Sequence, residues 1–222
     1  MNLTPVQSRI VGCLIEKEMA TPDNYPLTMN ALLGACNQTS NRNPVTHLEE
    51  PTVSNALENL RATQVVRIVY SRSNRADKFR HVLGEMLGLE PEHLALLSVM
   101  MLRGPQTVNE LRTRTERLHP FASLEEVEDG LRLLAGRNEP LVARLERRPG
   151  QKESRWAHLL GGDLAEVLAD VDDDPGDESR PSASRTDRLA ALEETVADLR
   201  ADLERLQSAH RTLVSKLGEE DD

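Results

Sequence analysis

Apolar positions along this chain change period in a fixed order. Ile10, Cys13, Leu14 and Lys17 fall at helical spacing behind Thr4-Pro5, a hydroxyl cap with proline in the first turn. Met29, Leu32 and Leu33 mark a second short helix beginning near Thr28. Val53, Leu57 and Leu60, at i, i+4 and i+7, mark a third after Pro51. The period then shortens to two. Val65-Val66-Arg67-Ile68-Val69, the polar turn SRSNRAD and Lys78-Phe79-Arg80-His81-Val82 predict a β-hairpin. The succession then repeats. Helices are expected from Pro91, over Thr107 to Arg114 and over Leu124 to Leu134, and a hairpin in LVARLERRPGQKESRWAHLL turns at Pro149-Gly150.

The second series reads as a diverged copy of the first. LTPVQSRIVGCLI from Leu3 aligns with LEPEHLALLSVMM from Leu89, and LTMNALL from Leu27 with QTVNELR from Gln106. TVSNALENL aligns with EEVEDGLRLL, pairing Val53 with Val127 and Leu57 with Leu131. KFRHVL aligns with RWAHLL, so His81 matches His158. The period of roughly 75–85 residues is domain-sized and too long for a solenoid repeat. Three helices and a hairpin form the layout of a winged helix-turn-helix. The expected class is mainly α with small β-hairpins (α+β), with tandem winged-helix domains at 1–84 and 85–162.

Beyond these the pattern changes again. Residues 163–184 are acidic and rich in Pro and Ser, and a flexible linker is expected there. Over 185–218, Leu189, Leu192, Val196, Leu199, Leu203, Leu206, His210, Leu213 and Leu217 alternate steps of three and four. That is an a/d heptad seam and predicts a coiled-coil helix that makes a homodimer. His210 is a polar insertion near its end, and Arg188 and Glu193, at g and e, suit a parallel pair.

Charge follows the same division. Residues 1–162 carry 20 Lys and Arg against 19 Asp and Glu, a net +1, and residues 163–222 carry 7 against 18, a net −11. The acidity of the whole therefore says little about what the folded body binds. Cys13 and Cys36 form neither a CxxC nor a zinc spacing and are expected in the core. The beginning of the chain lacks a basic n-region, and no apolar run approaches membrane-spanning length, so a soluble cytoplasmic protein is expected. There is no phosphate loop, nucleophile elbow or HExxH, so no enzyme, cofactor or metal site is expected.

The stretches GCLIEKE, TPDNYPLTMNALLGACNQTSNRNPV, MLRGPQTVNELRTRTERLHPF, EEVEDGLRLL and RRPGQKESRWAHLLGG resemble the YceH-like bacterial proteins over nearly all of residues 1–162. That resemblance implies tandem winged-helix domains and a short coiled-coil-like tail. It implies no particular activity.

Double-stranded DNA binding of a regulatory kind is the first functional expectation. In the first copy the third helix would turn Ser54, Asn55, Glu58 and Arg61 outward, and Asn and Arg suit adenine and guanine edges. The wing carries Arg67, Arg72, Arg75, Lys78 and Arg80 against Asp77, a local net of +4 suited to phosphates. The second copy opens its third helix with Glu125, Glu126, Glu128 and Asp129, which would repel phosphate, although Arg144, Arg147, Arg148, Lys152 and Arg155 make its hairpin basic. The alternative is a protein–protein adaptor, as tandem winged helices are in the segregation-and-condensation protein B. Aromatic residues are only 2% of the chain, which argues against a base-stacking platform.

The polar run Asn37 to Pro44 lies in an extended turn that the second copy lacks. Asn41, Arg42 and Asn43 are its candidate site residues. The competing expectation is a loop that braces itself, with Asn37 capping the second helix in a left-handed conformation and Arg42 tied to carbonyls, Glu49 or Glu50.

Overall fold

The chain divides into two compact units, Met1–Asp173 and Asp174–Asp222. The structure, a computed structural model, describes residues 1–70, 76–147 and 153–161, all within the first unit. The expected linker and heptad seam lie outside the described residues.

Helix α1 (Pro5–Ala20) starts at a capping box. Thr4 Oγ1 accepts from the Gln7 N–H, and Gln7 Oε1 accepts from the Thr4 N–H. A 3-10 turn (Pro22–Asn24) leads to strand β1 (Leu27–Thr28), and Thr28 caps α2 (Met29–Cys36). Helix α3 (Glu50–Ala62) buries Val53, Leu57 and Leu60 as their spacing requires. Gln64, at φ 62°, then turns the chain into β2 (Val66–Val69). Strand β3 (Lys78–His81) lies antiparallel to both β2 and β1, with Phe79 opposite Ile68 on one side and Leu27 on the other. Helix α4 (Leu83–Leu87) ends at left-handed Gly88 and leads to α5 (Pro91–Arg103). Then follow α6 (Val108–Thr115), α7 (Leu124–Ala135) and a hairpin of β4 (Val142–Arg144) and β5 (Trp156–His158). The described fold is therefore mixed α and β, with seven α-helices and small antiparallel sheets.

The aligned residues of the two series repeat each other's contacts. Leu27 pairs with Phe79, and Gln106 bridges to Trp156. Thr28 and Thr107 cap α2 and α6 by accepting from the backbone N–H three residues on. His81 faces Val66 and His158 faces Val142. Val82 N–H donates to Val65 O at 2.9 Å, and Leu159 N–H to Leu141 O at 2.8 Å.

The two series meet through their first helices. α1 is buried on all sides from Ser8 to Ile15, and α5 from His93 to Leu102, which is what a helix without a polar face requires. They touch at equivalent positions, where Ser98 Oγ donates to Gly12 O at 3.0 Å. A Cβ on Gly12 would stand 3.0 Å from Leu102 Cγ and 3.1 Å from Met101 Cβ, so the approach needs glycine. Both cysteines are free and buried in the continuous core. The end of the second series returns to the start of the first, with Leu3 N–H donating to Leu160 O at 2.6 Å.

Candidate nucleic-acid interface

The polar loop before α3 is tied to the core by arginine. Arg42 has no exposed side-chain surface, and all five of its N–H donors are used. Nε donates to Ala35 O at 3.0 Å. Nη1 donates to Glu16 Oε1 at 3.0 Å and Asn41 O at 2.8 Å, and Nη2 to Glu16 Oε2 at 2.7 Å and Gln38 Oε1 at 2.9 Å. The carboxylate partner is thus Glu16 on α1, in place of the expected Glu49 or Glu50. Burial alone would push the Glu16 carboxyl up. The hydrogen bonds and charge of Arg42, with Lys17 beside them, outweigh burial and hold it below its ordinary value.

Other ties complete the brace. Arg9 Nη2 donates to Pro44 O at 2.6 Å, and Asn43 N–H to Leu102 O at 2.8 Å. Asn37 is not left-handed as expected: its φ is −93°, and its side chain clamps Leu48 by donating to O at 2.8 Å and accepting from N–H at 2.7 Å. The left-handed residue is Asn41, at φ 59°. Of the three loop candidates, Asn41 and Asn43 are exposed and Arg42 is sealed away.

Helix α3 exposes Asn55, Glu58, Asn59 and Arg61, with Ser54 half-buried, and bares no large apolar side chain. On the neighbouring hairpin the cations are less free than the sequence implied. Glu85 of α4 reaches Arg80 Nη1 at 2.7 Å and Arg67 Nη1 at 3.3 Å. The Arg80 hydrogen bond, more than any other contact, holds the Glu85 carboxyl below its ordinary range. Counting Glu85 lowers the local charge from +4 to +3. Glu85 escaped the sequence reading because it follows the hairpin and belongs to no repeat in the pattern. Lys78 is half-buried, and Arg72 and Arg75 lie outside the described residues.

The second series differs in kind. In α7, Arg132 is tied to Glu128 at 2.6 Å and Asp129 at 2.5 Å, while Leu124 and Leu133 are 42% and 52% exposed. On the following hairpin Arg155 reaches Glu110 at 3.1 Å and Pro105 O at 3.0 Å, and Arg144 Nε donates to Ser154 Oγ at 2.7 Å. Arg148 and Lys152 lie outside the described residues.

The equivalent histidines also diverge. His81 Nε2 lies 2.6 Å from Glu18 Oε2, and its backbone N–H donates to the Tyr25 hydroxyl at 2.8 Å. The Nδ1 atoms of both are sealed from solvent without a partner, and burial lowers the His158 imidazole pKa to about 4. Among the described residues no three His, Cys, Asp or Glu converge as metal ligands, and no helix is long and apolar enough to cross a membrane.

Residues 3–151 match a family described as "Protein of unknown function, DUF480". The chain is 50% identical over 210 residues to a UPF0502 protein of Pelobacter propionicus, covering 93% of this chain and 94% of that protein. It is 50% identical over 198 residues to a UPF0502 protein of Geobacter sulfurreducens, covering 89% and 90%. A UPF0502 protein of Burkholderia cenocepacia is 40% identical over 218 residues, covering 98% and 90%.

Proposed function

The chain belongs to the bacterial DUF480 family, the UPF0502 proteins, and we propose that it is a non-enzymatic double-stranded DNA-binding protein built on two tandem winged helix-turn-helix domains. The reading is carried by α3, whose outer face is wholly polar beside a hairpin rich in arginine. A protein-docking face would offer apolar anchors. Asn55 and Arg61 would meet base edges in the major groove, with Ser54 at the rim. Arg67, Arg72, Arg75, Lys78 and Arg80 would lie along phosphates. The heptad seam from Leu189 to Leu217 would pair two such bodies, as a two-fold DNA site requires.

The test is titration of the full chain against duplex DNA between about 50 and 200 mM salt. Binding should weaken steeply with salt and fall with Arg61→Ala. Glu85→Gln frees two arginines, so it should tighten binding and steepen the salt dependence. Absence of binding at the lowest salt would sink the proposal. Unchanged or weaker binding by Glu85→Gln would remove the hairpin from it.

A second reading is favoured by α7 alone. Acids around the exposed Leu124 and Leu133 suit a protein partner better than DNA. As an adaptor, the protein would lose a reproducible lysate partner on Leu133→Glu and keep it on Arg61→Ala. The reverse pattern would refute that role.

A further inference from the structure

A cleft of about 430 Å³ lies where the two series fail to match. The first series carries the long polar loop, and the second has RTERLHPFASLEE in its place. Gln38, Ser40 and Asn41 of that loop line one part of the cleft. The end of α5 and the region of α6 line another, and Arg103 Nη2 donates across to Asn41 Oδ1. The volume falls within the range of small-molecule sites.

Its charge is one-sided. Lys17, Arg103, Arg114 and Arg117 line it, against Glu16 and Glu116. Glu16 is shared between the buried Arg42 and Lys17, and the lining alone sets four cations against two carboxylates, a net +2. Among the described residues Arg117 has no ion-pair partner, and Arg114 reaches Glu110 only at 3.4 Å. The strain on Arg103 agrees with this. Burial first, and then the neighbouring Arg114 and Arg42 charges, pull its guanidinium below the ordinary value. Like charges are held together on both sides of a concavity that has room for a ligand. A monovalent anion would neutralise one of them and leave most of the volume to water.

We propose that this cleft binds a small polyanion, a molecule carrying two or more phosphate or carboxylate groups. The ligand would contact Lys17 on α1 and the loop on one side, and Arg103, Arg114 and Arg117 on the other. It would therefore join the two series at the loop that leads into α3. The proposal uses other residues than those assigned to DNA and does not depend on that assignment.

Calorimetric titration of the full chain at low ionic strength with inorganic pyrophosphate and, separately, citrate tests it. At least one probe should bind saturably. Response to pyrophosphate alone assigns the phosphate class, to citrate alone the carboxylate class, and to both the shared chemistry. Arg117→Ala, which removes an unpaired exposed side chain, should leave the melting temperature unchanged and weaken binding about tenfold or more. Arg132→Ala, outside the cleft, should bind as the parent. No saturable binding of either probe would overturn the proposal. So would an Arg117→Ala variant that binds normally, or a control variant that weakens as much as Arg117→Ala does.

Discussion

Replacing Arg42 with methionine should unfasten the loop from Asn37 to Glu49. Methionine retains much of the buried stem and removes the charge and all five donors. Glu16, whose side chain is 13% exposed, is then left with Lys17 at 3.3 Å, and the Ala35 and Asn41 carbonyls lose their donor. Breaking a buried pair from one side costs about 3–5 kcal/mol. For a chain of this length that lowers the melting temperature by about 6–20 °C. Scanning calorimetry at neutral pH reads the loss directly. Adding Glu16→Gln to Arg42→Met should recover part of it, because the stranded charge is gone. The pH dependence supplies a second readout. The folded Glu16 pKa is depressed, so its contribution is fully present above the unfolded carboxyl value of about 4.3 and is lost as pH falls through the folded value. The gap between parent and Arg42→Met should therefore narrow on acidification. A loss under about 1 kcal/mol at neutral pH, or a gap that stays constant down to about pH 3, would refute this account of the loop.

Three further outcomes follow from packing, burial and the heptad pattern. Gly12→Val forces methyls against Leu102 and Met101 at the α1–α5 crossing and should cost roughly 1–3 kcal/mol in denaturant melts. Gly34→Ala, on open helix surface, should instead add about 0.4–1 kcal/mol, and equal effects at the two sites would contradict the crossing. His158 is neutral in the fold down to about pH 4, whereas the unfolded chain takes up a proton near pH 6.5. Stability should therefore be unaffected by His158 above about pH 6.5 and fall as pH drops towards 4, and His158→Phe should flatten that slope in pH-resolved denaturant melts. The heptad seam predicts a dimer in sedimentation velocity at micromolar concentration, lost on Leu203→Asp, and a monomeric parent would refute it.

The repeat was legible because both copies must solve the same local problems. A threonine hydroxyl must cap the second helix, so Thr28 and Thr107 match. A large ring must pair with the segment before it, so Phe79 and Trp156 match. Helical and strand periods report such needs directly. What the sequence concealed is non-local or too short for a period. Strand β1 has two residues, and α4 with its Glu85 has five. The Arg42–Glu16 pair spans 26 positions, and nothing in the spacing of either residue names the other. The loop's polar composition suggested self-bracing, and half of that is true: Asn37 clamps Leu48 and Arg42 donates to Gln38 and the Asn41 carbonyl within the loop, while Arg42 and Asn43 also tie it to α1 and α5.

The relation between the repeat and its exception says where to look for function. Two copies that touch at equivalent residues, Gly12 and Ser98, are held to each other by the core, and drift there is costly. The same constraint does not act on the surface. There α3 is polar and α7 carries acids and exposed leucines. The loop of the first series is the largest departure, and it leaves the symmetry of the core intact while lining a cationic cleft with residues from both copies. A device meant only to connect two helices would need three or four residues. The additional length, the buried arginine that fixes it and the cationic lining facing it converge on one place, and Arg117 tests that convergence without touching the core.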